Sequence, residues 1–225
     1  MNDLLSILKR REIQAILFSC IFIWLCVAGG SIYLLPRINT NLLQNSYPTG
    51  IYFLIFALIS GYYYKVYEFF PHHVGYKKQL IPIITLTVFL VSFTVYFNHV
   101  FPMTPEIQQK IAQSKFFFPL FRLDTFLAKL GDITFQQVVI YGVLKRFKEN
   151  GLTNKQAMGL FTIGFFLIHV PLVFSLKWYA FFFIVPSLVA GGIFSYLILY
   201  WRYGLFKSYA THLLFYLAIG LYFRL

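Results

Sequence analysis

Two adjacent amides, Gln136 and Gln137, interrupt the apolar run Phe135-Gln136-Gln137-Val138-Val139-Ile140-Tyr141-Gly142, and two histidines, His169 and His212, stand singly in later apolar runs. Amides and imidazoles inside apolar segments are costly unless polar groups face them. The spacing therefore predicts one site where the three segments meet. There an imidazole and a phenol one turn apart can share a bound oxygen or water. Tyr216 supplies the phenol, one helical turn after His212 on the same face. Gln136 and Gln137 point about 100° apart on a helix, so one faces the histidines while the other bonds to a neighbouring helix. The alternative is that both amides are interhelical glue. Asp132 has two readings as well. It is the N-cap of a helix opened by Gly131-Asp132-Ile133-Thr134, or the carboxylate one turn before Gln136 that serves as a general base.

These residues need helices in a bilayer to hold them. The chain has 225 residues, 59% hydrophobic and 21% aromatic, with only 12% charged, against about 25% charged in soluble chains. Several apolar runs reach the roughly 20 residues that cross a membrane, and the alternation of a membrane β-barrel is absent. The expected fold is all-α: a polytopic bundle of about seven transmembrane helices plus one interfacial amphipathic helix. The spans are read at about 14–35, 51–67, 80–100, 132–144, 157–174, 178–200 and 209–223, the fourth being short. Tyr47-Pro48-Thr49-Gly50 reads as a turn-rich connection before the second span.

Three regions follow: N-terminal transmembrane helices over 1–100, an amphipathic connector over 101–131, and core helices over 132–225. In the connector, Phe116, Phe117, Phe118, Leu120, Phe121, Phe126 and Leu130 alternate with charged residues. It reads either as an amphipathic helix on or in the membrane interface, where it would gate entry of a lipid-embedded substrate, or as a packed connector.

The net charge of +12 sits in short loops, which points to a cytoplasmic membrane face and lipid rather than to nucleic acid. Lys9, Arg10 and Arg11 place the N-terminus inside, in a bacterial-type cell membrane. His72 and His73 are adjacent and lack a nearby Cys or Asp, so they read as a loop pair and no metal is expected. Cys20 and Cys26 point to different faces of the first helix and cannot pair.

The order and spacing of these motifs resemble the CPBP (Abi) family of intramembrane endopeptidases, which includes the CAAX prenyl proteases and bacteriocin-processing proteins. Gln136-Gln137-Val138-Val139-Ile140-Tyr141-Gly142 occupies the frame of the family's Glu-Glu-x-x-x-Arg-Gly, Phe165 to His169 matches Phe-x-x-x-His, and His212 to Tyr216 stands for His-x-x-x-Asn. The resemblance implies a glutamate-type protease fold acting on a membrane-embedded or lipidated peptide or protein near the membrane surface, without a cofactor. It implies catalytic positions at Gln136, Gln137, His169, His212 and Tyr216, and substrate-binding positions at Tyr141 and Phe165. A Gln amide has no useful basicity, and Tyr141 replaces the Arg. The implied function is therefore a protease-like site whose hydrolysis is compromised, or a partner-binding pseudoprotease.

Overall fold

The computed structural model describes residues 6–40, 45–66, 76–113 and 120–223. The described residues are helical throughout, with no strand among them. Helix α1 (Arg11–Gly29) loosens into a π turn at Gly30–Leu34 and a 3-10 turn at Leu35–Ile38. Pro36 opens that last turn and Asn39, in the left-handed region at φ 54°, closes it. Helix α2 (Ser46–Tyr63) begins earlier than the sequence suggests. Tyr47-Pro48-Thr49-Gly50 is its first turn rather than a connection, because proline's missing N–H costs nothing where no intrahelical partner exists.

Helix α3 (Tyr76–Val100) is followed by the short α4 (Pro105–Gln113), where Thr104 accepts a hydrogen bond from the Ile107 N–H. Helix α5 (Leu123–Glu149) is the longest, at 27 residues. Helix α6 (Asn154–His169) opens on a capping box in which Thr153 and Gln156 each satisfy the other's backbone N–H. A short α7 (Leu172–Leu176) and a 3-10 turn (Lys177–Ala180) lead to α8 (Phe181–Tyr200), and α9 (Gly204–Phe223) closes the described chain.

Helix α5 is the axis of the bundle. Ile133, Phe135, Val139, Ile140, Val143, Leu144 and Phe147 along it are buried. It starts at Leu123, so the short fourth span of the sequence reading is the middle of a longer helix. Asp132 lies inside that helix and is not its N-cap, a position held by Arg122. Of the two readings of the connector, the packed one fits the residues in view: Leu120, Phe126 and Leu130 are buried against Leu90, Ile133, Tyr209 and Leu213, and Phe121 is buried with its ring against Phe93 and Phe97. They are packed in the bundle, not spread on a surface. Phe116, Phe117 and Phe118 lie outside the described residues, as do His72 and His73.

Helix α2 crosses α5 where both chains are bare. A Cβ on Gly131 would sit 2.6 Å from the Gly50 carbonyl oxygen, and one on Gly50 would sit 2.9 Å from the Ala128 Cα. Close approach of backbones through small residues is the usual way helices associate where no hydrophobic effect drives them together. A first apolar cluster joins α1, α2, α5, α6 and α8, and a second joins α3, α5 and α9. α5 belongs to both.

Outward faces are apolar: Phe18, Phe22 and Leu25 on α1, Ile55, Leu58 and Ile59 on α2, and Val88 and Phe89 on α3 are exposed. Such continuous apolar surface has no place in water. Three stretches, Arg11–Gly29, Leu80–Val100 and Asn154–Phe174, are long and apolar enough to cross a membrane, and Ile184–Tyr200 is a shorter apolar helix. Apolar residues outward and polar residues inward is the arrangement of a helical membrane protein.

Candidate functional site

Between the two apolar clusters runs a polar seam made by α5 and α9. On α9, Ser208, His212 and Tyr216 recur every fourth residue and so form one stripe. On α5, Lys129, Asp132, Gln136 and Gln137 face that stripe or one another. Gln137 is the amide that meets a histidine. Its Nε2 donates to His212 Nδ1 at 3.2 Å, and its Oε1 accepts from Ser208 Oγ at 2.7 Å. Gln137 is 2% exposed and His212 5%. With the amide in this orientation, His212 Nδ1 is the acceptor, so its proton resides on Nε2.

Gln136 turns the other way, as the 100° offset requires. Its Nε2 donates to Asp132 Oδ1 at 2.8 Å, one turn back on the same helix. The other carboxylate oxygen, Oδ2, accepts from Lys129 Nζ at 2.6 Å, and these two charged side chains are 9% and 13% exposed. Lys129 Nζ also lies 4.0 Å from the centre of the Tyr216 ring. The Tyr216 ring in turn stacks on His212 at 5.5 Å. Gln136, Asp132, Lys129, Tyr216, His212, Gln137 and Ser208 therefore form one connected interior network.

His169 joins it through aromatic rings rather than hydrogen bonds. Its Nδ1 donates to the Phe165 carbonyl at 2.6 Å, which fixes the tautomer and leaves Nε2 as the acceptor. The imidazole sits among Phe165 at 4.7 Å and Trp24 at 5.9 Å. Phe165 contacts Phe194 at 6.4 Å, and Phe194 contacts His212 at 4.8 Å. Phe165 thus carries one histidine on its carbonyl and links it to the other through its ring. Tyr141 is one turn past Gln137 and buried within the first apolar cluster, away from the α9 stripe.

Asp132, weighed in the sequence as a base, has each carboxylate oxygen accepting one hydrogen bond, from Lys129 and from Gln136. Two members of the network were not foreseen. Lys129 is one cation among several in the connector by sequence; its relation to Asp132, three residues on, emerges only once both lie in one helix. Ser208 carries a visible signal in its four-residue spacing to His212, the same spacing that links His212 to Tyr216. Among the described residues, no three of His, Cys, Asp or Glu gather as a metal site would require.

This chain matches no family model, no curated protein and no solved structure. Its class rests on its own geometry: an all-helical chain with helices fit to cross a membrane and a buried polar seam between two apolar clusters.

Proposed function

We propose that the chain is a multi-pass membrane protein of the CPBP type, with about seven helices in the bilayer and a cytoplasmic N-terminus. Its seam receives a membrane-embedded or lipidated peptide or protein near the membrane surface and holds it without efficient hydrolysis. The observation that carries this reading is the contact between the first and third motif segments, Gln137 on His212 at 3.2 Å. The second motif is brought alongside through Phe165 and Phe194.

The chemistry favours binding. His212 Nε2–H and the Tyr216 hydroxyl are donors suited to a peptide carbonyl. A base is harder to find. Gln136 and Gln137 are neutral amides that orient a water without accepting its proton, and loss of a positioned base typically costs roughly 10²- to 10⁴-fold in rate. His169 Nε2 is the group left with an available lone pair.

The test is a panel of lipidated and unmodified membrane peptides offered to the purified protein in liposomes, scoring capture and cleavage separately. The unmodified chain is compared with Gln136→Glu, Gln137→Glu and His169→Ala. Capture without turnover by the unmodified chain, with turnover appearing in a Glu variant, is the expected result. Turnover by the unmodified chain that disappears in His169→Ala would overturn the silent-site reading. Absence of capture in every form would overturn the family reading itself.

A further inference from the structure

Cations that take no part in the seam gather at one end of the bundle. Hydrogen bonds between helix termini define that end. Arg10, just before α1, donates to the Asn150 carbonyl after α5 at 3.4 Å. Near the end of α5, Lys145 donates to the Lys65 carbonyl after α2 at 2.9 Å, and Arg146 donates to the Tyr63 carbonyl at 3.4 Å. Asn154, opening α6, donates to the Leu199 carbonyl near the end of α8 at 3.3 Å. Arg11 and Lys155 are exposed on the same rim. Glu12 and Glu149 are the acidic residues at this end among the described residues.

Tethering matters to what this rim can recognise. Lysine and arginine at a membrane surface ordinarily sweep a wide arc on flexible stems. Here Arg10, Lys145 and Arg146 are held against the carbonyls of neighbouring helices. Glu149 also pairs with Lys145 at 3.5 Å and with Arg146 at 3.2 Å, and one carboxylate against these cations leaves net positive charge fixed in the plane where the helices end. Next along the helices come the exposed rings of Tyr62 and Tyr63, and beyond them the outward aliphatic face of Leu58, Ile59 and Ile55. This sequence of cation, tyrosine and aliphatic surface is that of a helix crossing from headgroup to tail. Lipids whose tails cover the aliphatic face bring their headgroups level with the rim.

We propose that this rim binds phospholipids of net negative headgroup charge and retains them from the leaflet it faces. A zwitterionic headgroup brings its own ammonium and leaves the rim unmatched, whereas phosphatidylglycerol brings only the phosphate charge. This proposal stands apart from the reading of the seam and holds or fails without it.

The test is native mass spectrometry of the full chain in detergent, offered phosphatidylglycerol and phosphatidylcholine with identical tails. Phosphatidylglycerol is expected to survive delipidation in preference, and to be lost at about 1 M salt, where the Debye length is about 3 Å. The variant Arg11→Gln with Lys155→Gln, which leaves the four terminus-joining hydrogen bonds intact, is expected to lose affinity about 5-fold per charge removed. Arg37→Gln with Lys177→Gln, in the 3-10 turns that follow α1 and α7, is expected to bind as the unmodified chain does. Equal retention of the two lipids, or an equal loss in this second variant, would overturn the proposal.

Discussion

Replacing Lys129 by Met probes the most exposed assumption about the seam, that its charges are buried as a pair. Lys129 and Asp132 meet at 2.6 Å with side chains 9% and 13% exposed. Removing one partner of such a pair leaves an uncompensated charge, which costs about 3–5 kcal/mol. Asp132 keeps the Gln136 amide at 2.8 Å, and a hydrogen bond to a charged group contributes about 1.5–3 kcal/mol, so the lower end of the range applies. The ammonium over the Tyr216 ring at 4.0 Å is lost as well, but a methionine sulfur on the same ring recovers about 0.3–1.5 kcal/mol of that contact. Lys129→Met is therefore expected to destabilise the fold by about 3 kcal/mol. The double variant Lys129→Met with Asp132→Leu removes both charges together; it leaves the half-buried Gln136 amide without its acceptor, at the lower end of about 1–3 kcal/mol, and should return to within about 1–2 kcal/mol of the unmodified chain. Reversible unfolding in mixed micelles, run as a double-mutant cycle, measures both. A cost below about 1 kcal/mol for Lys129→Met, or no recovery in the double variant, would show that water reaches the pair and would refute the buried seam.

Two further outcomes use the same unfolding assay. Gly131→Ala pushes a methyl to 2.6 Å from the Gly50 carbonyl oxygen and should cost about 1–3 kcal/mol as α2 and α5 separate. Gly159→Ala meets no atom within 4 Å and should gain up to about 1 kcal/mol from helix propensity; equal effects at the two positions would contradict the crossing. Ser208→Ala leaves the buried Gln137 Oε1 without its 2.7 Å donor and should cost about 1–3 kcal/mol. It should also shift the ¹⁵N resonances of His212, since the amide is no longer held in one orientation. Unchanged stability together with unchanged resonances would remove Ser208 from the network.

The sequence made the helical class legible because long apolar runs are a one-dimensional signal: each is read within its own segment. Gln137, His212 and Tyr216 were legible for a related reason, since an isolated polar residue in such a run demands a partner wherever that partner lies. What stayed hidden depended on knowing where helices begin. Asp132 looks like a cap when α5 is taken to start beside it, and Pro48 looks like a turn when α2 is taken to start after it. In both cases the residue type fits either position, and only packing against other helices extends the element past it. The same ambiguity hid Lys129, which is an unremarkable connector cation until α5 runs through it.

The charges in this seam also bear on what it can do. The motif frame puts amides at Gln136 and Gln137 and a phenol at Tyr141, so it carries no formal charge of its own. Charge enters one turn earlier, through Lys129 and Asp132, and it enters as a compensated pair. Gln136 ties the frame to that pair while Gln137 ties it to His212, so the adjacent amides bridge a charged cluster and a neutral one. A glutamate at 137 would face the His212 imidazole and the Ser208 hydroxyl. A glutamate at 136 would instead face the Asp132 carboxylate, and like charges in one buried site oppose ionisation. The two Glu variants should therefore differ, with Gln137→Glu the more readily accommodated as a carboxylate. Equal tolerance of both would mean that Asp132 does not hold its charge where the seam places it.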